Sequence, residues 1–250
     1  MSKNQKKIWI TGASSGIGRA AAEKFAKEGW KVAVSARRKE LLDELSKNQN
    51  ISSFPLDVTD RSQINNTFKN ILNEFNELDI CLFSSGTYEP KDEQSIDPDR
   101  IKNVINVNFL GVIDCVKTVE DYFKNKKTGH ISIVSSIAAY RGLPNSSGYG
   151  PSKAALTNFC ESIYFDFKKF GVRVSIVSPG FIKTPLTDKN DFPMPFLKTP
   201  EYAAEKIFSG LVKTNSFEIH FPKGLTLTLK FLRILPYKLY LFLVDKLVKR

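Results

Sequence analysis

Histidine is scarce in this chain of 250 residues, which holds only His130 and His220. Metal sites and nucleophile triads built on imidazole have little material here, and no metal is expected. Cysteine is nearly as rare: Cys81, Cys115 and Cys160 are odd in number and far apart. They form no CxxC pair and no zinc spacing, which suits a reducing compartment and argues against a disulfide framework. No uncharged apolar run reaches the roughly 18 residues of a membrane span. Lysines open the chain (Lys3, Lys6, Lys7), but no apolar stretch of signal-peptide length follows them. Export is therefore not expected, and a cytoplasmic location is. Internal repeats, low-complexity tracts and domain linkers are also missing.

Acidic side chains are outnumbered, 26 against 37 basic ones, for a net charge of +11. Just over half of that excess lies in the last 30 residues. Lys223, Lys230, Arg233, Lys238, Lys246, Lys249 and Arg250 face one acid there, Asp245. The pattern describes a basic tail, not a basic protein. Its many leucines argue against phosphate tracking, so no nucleic-acid partner is expected. With 42% hydrophobic and 25% charged residues, the rest reads as one globular unit with a sizeable core.

Strand and helix patterns alternate along the chain. Strands are expected at 7–12, 31–36, 52–58, 78–86, 130–136, 172–180 and 216–222. Helices are expected at 17–29, 38–47, 60–76, 99–124, 149–169 and 200–213. Such alternation builds a seven-stranded parallel sheet with helices on both faces. The segments 87–98 and 181–199 resist assignment. Both follow strands, on the sheet edge where open α/β folds bind ligands.

Three stretches carry chemistry. In "TGASSGIGR", Gly12, Gly16 and Gly18 sit where a strand gives way to a helix. They permit a tight turn, close approach of a pyrophosphate and tight helix–strand packing. The helix start adds free N–H groups and the positive end of a dipole. The zone after the second strand reads Ser35-Ala36-Arg37-Arg38, without the acid that would hold the ribose of NAD. Arg37 and Arg38 instead suit a 2′-phosphate, which favours NADP(H), although the pair also fits the start of a solvated helix. Asp57 and Val58 end the third strand as an adenine contact, unless Asp57 or Asp60 only caps the next helix.

The third stretch is "SSGYGPSKAAL", residues 146–156. On a helix Tyr149 and Lys153 face the same way. Pro151 is tolerable in a first turn, so it supports a helix that begins here. A neighbouring ammonium is expected to pull the tyrosine pKa down from about 10 towards a working range.

Together these stretches resemble the short-chain dehydrogenase/reductase family, over about residues 7–185. Thr11-Gly12-Ala13-Ser14-Ser15-Gly16-Ile17-Gly18 is similar to its cofactor motif and Asn108-Phe109-Leu110-Gly111 to its N-x-x-G helix. Ser135-Ser136 matches its catalytic serine, Tyr149-Gly150-Pro151-Ser152-Lys153 its YxxxK, and Pro179-Gly180-Phe181-Ile182-Lys183-Thr184 its P-G-x-x-x-T segment. The resemblance implies a Rossmann-type, doubly wound α/β domain over 1–222, with a substrate loop at 185–199 and a helical, amphipathic extension at 223–250. It implies that Tyr149 exchanges a proton with a carbonyl or alcohol oxygen that Ser136 polarises. Lys153 would tune Tyr149 and hold the nicotinamide ribose, and Asn108 would keep a water chain to solvent. Thr184 and Ile182, after Pro179 and Gly180, would fix the nicotinamide. One departure stands out. Phe83-Ser84-Ser85-Gly86 replaces the family's Asn-Asn-Ala-Gly, which leaves Gly86 in place and Ser84 or Ser85 to substitute for the asparagines.

The expected activity is NADPH-dependent interconversion of a carbonyl and a secondary alcohol. The alternative is a non-catalytic NADP(H)-binding redox sensor or scaffold, which has no need of Asn108, Ser136, Tyr149 and Lys153 together. Phe192, Met194, Phe196 and Leu197 make the substrate loop apolar, which suits a hydrophobic substrate or simple packing on the body. In the tail, Leu225, Leu229 and Leu232 share one helical stripe, continued beyond Pro236 by Leu239, Phe242, Leu243, Leu247 and Val248. That stripe fits a membrane surface, which would make the protein peripheral. It also fits the substrate loop or a second subunit in a homo-oligomer.

Overall fold

A computed structural model of the chain describes residues 5–88 and 96–248. Its strands are β1 (Lys7–Thr11), β2 (Lys31–Ser35), β3 (Ile51–Ser53), β4 (Ile80–Phe83), β5 (His130–Val134), β6 (Arg173–Pro179) and β7 (Glu218–Phe221). They pair in parallel as one seven-stranded sheet of order β3-β2-β1-β4-β5-β6-β7. This is the expected doubly wound architecture. From β1 the chain runs outward to β3 and then returns to β4 on the other side of β1. The loops after β1 and β4 therefore diverge at the C-terminal edge of the sheet, where a crevice opens.

Alternation along the strands loads both faces. Ile8 and Ile10 of β1 pack with Phe25 of α1 (Gly16–Lys27) and Phe208 of α7 (Pro200–Lys213). Trp9 points the other way, to α3 (Arg61–Phe75), α5 (Gly111–Lys126) and α6 (Tyr149–Lys168). Its ring stacks on Phe68 and meets Phe83 edge-on, and its Nε1 donates to Ser35 Oγ at 2.9 Å. Burying such a side chain stabilises by about 1.5–3 kcal/mol, so the two layers fix β1, and the loop that leaves it, from both sides. The short α2 (Lys39–Leu45) covers the edge through Leu42 and Leu45.

Three boundaries differ from the sequence reading. The β3 ladder stops at Ser53, although Phe54 and Leu56 still donate to the Val34 and Ala36 carbonyls. Pro55 between them has no N–H and faces the open side of this edge strand, where a proline is tolerated. The expected helix 99–124 is α4 (Pro98–Ile105), a π turn over Asn106–Leu110, and then α5. A Cβ at Gly111 would lie 2.6 Å from the Val58 carbonyl, so the helix passes tightly against the β3–α3 loop. The helix expected at 60–76 is α3 at Arg61–Phe75, and Asp60 is its cap, accepting from Gln63 N at 3.0 Å. Most of the unassigned segment 87–98 lies outside the described residues.

The tail forms two helices, α8 (Lys223–Arg233) and α9 (Tyr237–Val248). The α8 part of the stripe proposed for a membrane surface turns inward, while Leu239 and Phe242 of its α9 part are exposed. Leu225 packs with Ile137 and Tyr140, with Leu229 and Phe181 alongside, and Leu232 packs with Tyr240 and Val244. α8 carries two opposite apolar stripes, Leu225–Leu229–Leu232 and Leu227–Phe231, and its neighbours bury the first. Arg141 fixes it by donating to the carbonyls of Leu232, Arg233 and Leu235, and its guanidinium lies over the Tyr237 and Tyr240 rings. Among the described residues, no helix is long and apolar enough to cross a membrane.

Candidate active site

A cavity of about 710 Å³ opens at the crevice between the β1 and β4 loops. Every residue singled out from the sequence as catalytic or cofactor-binding lines it, except Asn108. At one end lies the glycine turn. Gly12 has φ +68°, a left-handed conformation that strains other residues, and a Cβ there would lie 2.7 Å from the Ser84 carbonyl. A Cβ at Gly18 would overlap the Gly12 carbonyl, so the glycine lets α1 close onto the turn. Arg38 spans the mouth of the turn, its Nη2 donating to Ser14 Oγ at 2.8 Å and Ser15 Oγ at 2.9 Å. Asp57 and Val58 line the same end, and Asp57 Oδ1 accepts from the Thr59 N–H and hydroxyl.

At the other end α6 begins at Tyr149, with Gly148 before it. Pro151 falls in the first turn, where its lack of an N–H breaks no helical bond. Ser136 lines the cavity beside Tyr149 and lowers its pKa, and its Oγ accepts from Ala138 N at 3.1 Å. Lys153 is buried beneath them. Its Nζ donates to the Val134 carbonyl at 2.9 Å and lies 5.7 Å from the centre of the Tyr149 ring. Burial without a carboxylate partner holds its ammonium down to about 8.

One expectation is overturned here. Tyr149 is held above its ordinary pKa, because burial outweighs the lowering effect of Ser136. Lys153 does not pull it down with the chain's own groups alone, since its ammonium is aimed at a main-chain carbonyl and not at the phenol oxygen.

Asn108 sits in the π turn, fully buried behind the cavity. Its Oδ1 accepts from Thr87 N at 2.7 Å, and its Nδ2 donates to the Thr87 carbonyl and Ser152 Oγ. The amide thus clamps the β4 loop to α6. A Cβ on Gly86 would stand 3.5 Å from Asn108 Oδ1 and 3.6 Å from Lys153 Nζ, so this glycine lies between the two. Ser84 and Ser85, at the departure from the family pattern, line the cavity, and Ser84 N donates to Thr11 Oγ1 at 3.2 Å.

A model of the short chain dehydrogenase family matches residues 6–193. The chain belongs to that family. It is 32% identical over 236 residues to an oxidoreductase of Myxococcus xanthus, covering 92% of this chain and 93% of that one. It is also 32% identical to the 3-oxoacyl-[acyl-carrier-protein] reductase FabG of Thermotoga maritima, over 72% of this chain and 75% of the other. Among solved structures, ElxO with NADP bound superimposes with a TM-score of 0.78 at 28% identity, covering 90% and 99% of the two chains. A short-chain dehydrogenase from Streptomyces avermitilis shares the fold with a TM-score of 0.82 at 24% identity, over 92% of each chain.

Within this short-chain dehydrogenase the structure adds neighbours that sequence reading missed. The Tyr88 ring lies 5.0 Å from that of Tyr149, and Lys189 Nζ donates to the Tyr88 carbonyl. Thr187 Oγ1 donates to the Ile182 carbonyl at 2.6 Å and accepts from Thr184 N at 2.9 Å, pinning the segment after β6. A common threonine in an unassigned loop gives no signal of this. The loop 185–199, expected to meet substrate, is partly packed, with Phe192 edge-on to Phe181, while Phe196 and Leu197 are exposed. Among the described residues no His, Cys, Asp and Glu cluster has the makings of a metal site.

Proposed function

We propose that this short-chain dehydrogenase is an NADP(H)-dependent oxidoreductase that interconverts a carbonyl and a secondary alcohol on a hydrophobic substrate. One observation carries the reading: Ser136, Tyr149 and buried Lys153 come together at the far end of the glycine-turn cavity. The cradle fits a dinucleotide. Its glycines keep space that Cβ atoms would fill, and Arg37 and Arg38 stand beside the helix start, where a 2′-phosphate finds bidentate donors. The NADP bound to ElxO and the reductase activity in FabG's name support this choice.

In this reading Gly12, Ser14, Ser15, Gly16, Ile17 and Gly18 hold the pyrophosphate, and Asp57 and Val58 border the adenine. Ser85 and Gly86 approach the ribose, and Pro179, Gly180, Ile182 and Thr184 seat the nicotinamide. When bound, the cofactor supplies or accepts the hydride. Tyr149, protonated at neutral pH, donates its proton to the carbonyl oxygen during reduction. Ser136 donates a hydrogen bond to the same oxygen as negative charge develops there. Lys153 carries positive charge below about pH 8 and would hold a ribose hydroxyl of the cofactor beneath the Tyr149 ring. Asn108 holds the β4 loop and α6 together and marks the route by which water reaches Lys153.

The test is NADPH oxidation across a panel of apolar ketones and aldehydes by the wild type and Tyr149→Phe. The variant is expected to lose about a hundredfold or more in rate while cofactor affinity stays within a few-fold. Wild-type protein that binds NADPH tightly but turns over no member of the panel would instead describe a sensor.

A further inference from the structure

The tail hides one apolar stripe and leaves a second outside. Leu227, Phe231 and Ile234 recur at i, i+4 and i+7 along α8 and its C-cap, opposite buried Leu225 and Leu232 and half-buried Leu229, and are 56%, 61% and 76% exposed. Tyr237, Leu241 and Phe242 extend exposed apolar surface onto α9. A soluble surface rarely leaves so many large apolar side chains together. This surface reaches the substrate loop. A Cβ on Gly224, one turn before Leu227, would meet the ring of Phe196 at 3.4 Å, and Phe196 is itself exposed.

Charge decides between occupants. Arg233, Lys238 and Lys246 are exposed on the same two helices, and Asp245 is the only acid from residue 221 onward. A twofold contact with a second copy would set this basic patch against itself. An anionic bilayer accepts both the aromatic and leucine side chains and the basic ones. Length decides between spanning and lying flat. The 11 residues of α8 and 12 of α9 reach only about 17–18 Å each, against a hydrocarbon core of about 30 Å.

We propose that the outer face of α8 and α9 docks the protein flat on an anionic lipid surface, with the exposed end of the substrate loop turned towards the lipid. On α8 the stripe facing the lipid is Leu227–Phe231–Ile234, not Leu225–Leu229–Leu232, whereas on α9 Phe242 of the expected stripe takes part. Docking does not depend on the proposed redox chemistry, and vesicle binding is read without turnover, so the two readings fail separately.

The experiment is co-sedimentation of the full chain with phosphatidylcholine vesicles, with and without phosphatidylglycerol. The chain is expected to pellet with the anionic vesicles, less so as salt rises, and to stay in solution with phosphatidylcholine alone. Phe231→Glu with Phe242→Glu should lower the partition about tenfold or more. Arg233→Glu with Lys238→Glu provides an independent reading that leaves the apolar side chains intact, with a similar loss expected. Unchanged thermal melting and NADPH binding identify variants that are folded. Failure of the wild type to pellet with anionic vesicles, or unchanged pelleting in both folded double variants, overturns the proposal. So does a dimer, seen by sedimentation velocity without lipid, that the same substitutions dissociate.

Discussion

Lys153 Nζ donates to the main-chain carbonyl of Val134 at 2.9 Å, and no carboxylate offsets the burial that holds its ammonium down to about 8. The last residue of β5 thus holds the cation beneath the Tyr149 ring. That cation is present at neutral pH and is lost in mildly alkaline solution.

A folded-state pKa below the ordinary 10.5 means that the folded chain binds fewer protons than the unfolded one between about pH 8 and 10.5. The stability cost of the buried ammonium is therefore full below about pH 8 and is relieved as pH rises through that window. Chemical denaturation of wild type and Lys153→Met should show the wild type gaining on the variant by up to about 1.4 kcal/mol per pH unit there. Activity should move the opposite way and fall above about pH 8. A stability difference that is flat across the window would contradict the assignment.

Arg38 bridges Ser14 and Ser15 at the mouth of the glycine turn. Arg38→Asp removes a donor fork and places a carboxylate where a 2′-phosphate would lie. Titrations with NADPH and NADH should show affinity for NADPH falling about tenfold or more while that for NADH holds or improves. Equal losses for both cofactors would mean that the arginine only braces the turn.

His130 is buried on β5, its Nε2 2.7 Å from Ser175 Oγ and its Nδ1 without a hydrogen-bond partner. Burial holds its pKa down to about 3, so the folded protein keeps it neutral while the unfolded chain protonates it near 6.5. Stability should fall as pH drops from about 6.5 towards 3, by up to about 1.4 kcal/mol per pH unit from this residue. His130→Gln should show a shallower acid slope in urea denaturation.

Two glycines give a packing contrast. Gly18→Ala drives a Cβ into the Gly12 carbonyl, so main chain must move. It should cost at least about 2 kcal/mol and weaken cofactor binding with it. Gly142→Ala meets nothing within 4 Å and should stay within about 0.5 kcal/mol of wild type by thermal melting.

Arg141, five residues after Ser136, holds the tail through three carbonyls at the end of α8. Arg141→Met should lose about 1–3 kcal/mol of stability. It should also raise hydrogen exchange in α8 and α9 well above that in the central strands. Uniform exchange changes across the chain would argue against this local brace.

Sheet architecture and site were legible in the sequence because both rest on local patterns. Apolar alternation names strands wherever two faces are buried, as Ile8, Trp9 and Ile10 show. Glycines at 12 and 18 declare a turn that nothing larger fits, and Tyr149 and Lys153 share a face as soon as Pro151 marks the helix start. The π turn at Asn108 was not legible, nor was the close passage of Gly111 against the Val58 carbonyl, which is a tertiary contact. Nor was the raised pKa of Tyr149, because desolvation is set by the surrounding fold and not by chain spacing. The tail divides the same way. Its composition alone determined two basic, apolar helices on either side of Pro236. Only packing against Ile137 and Tyr140 decided which stripe is hidden, because a helix with two opposite apolar stripes can bury either until a neighbour covers one.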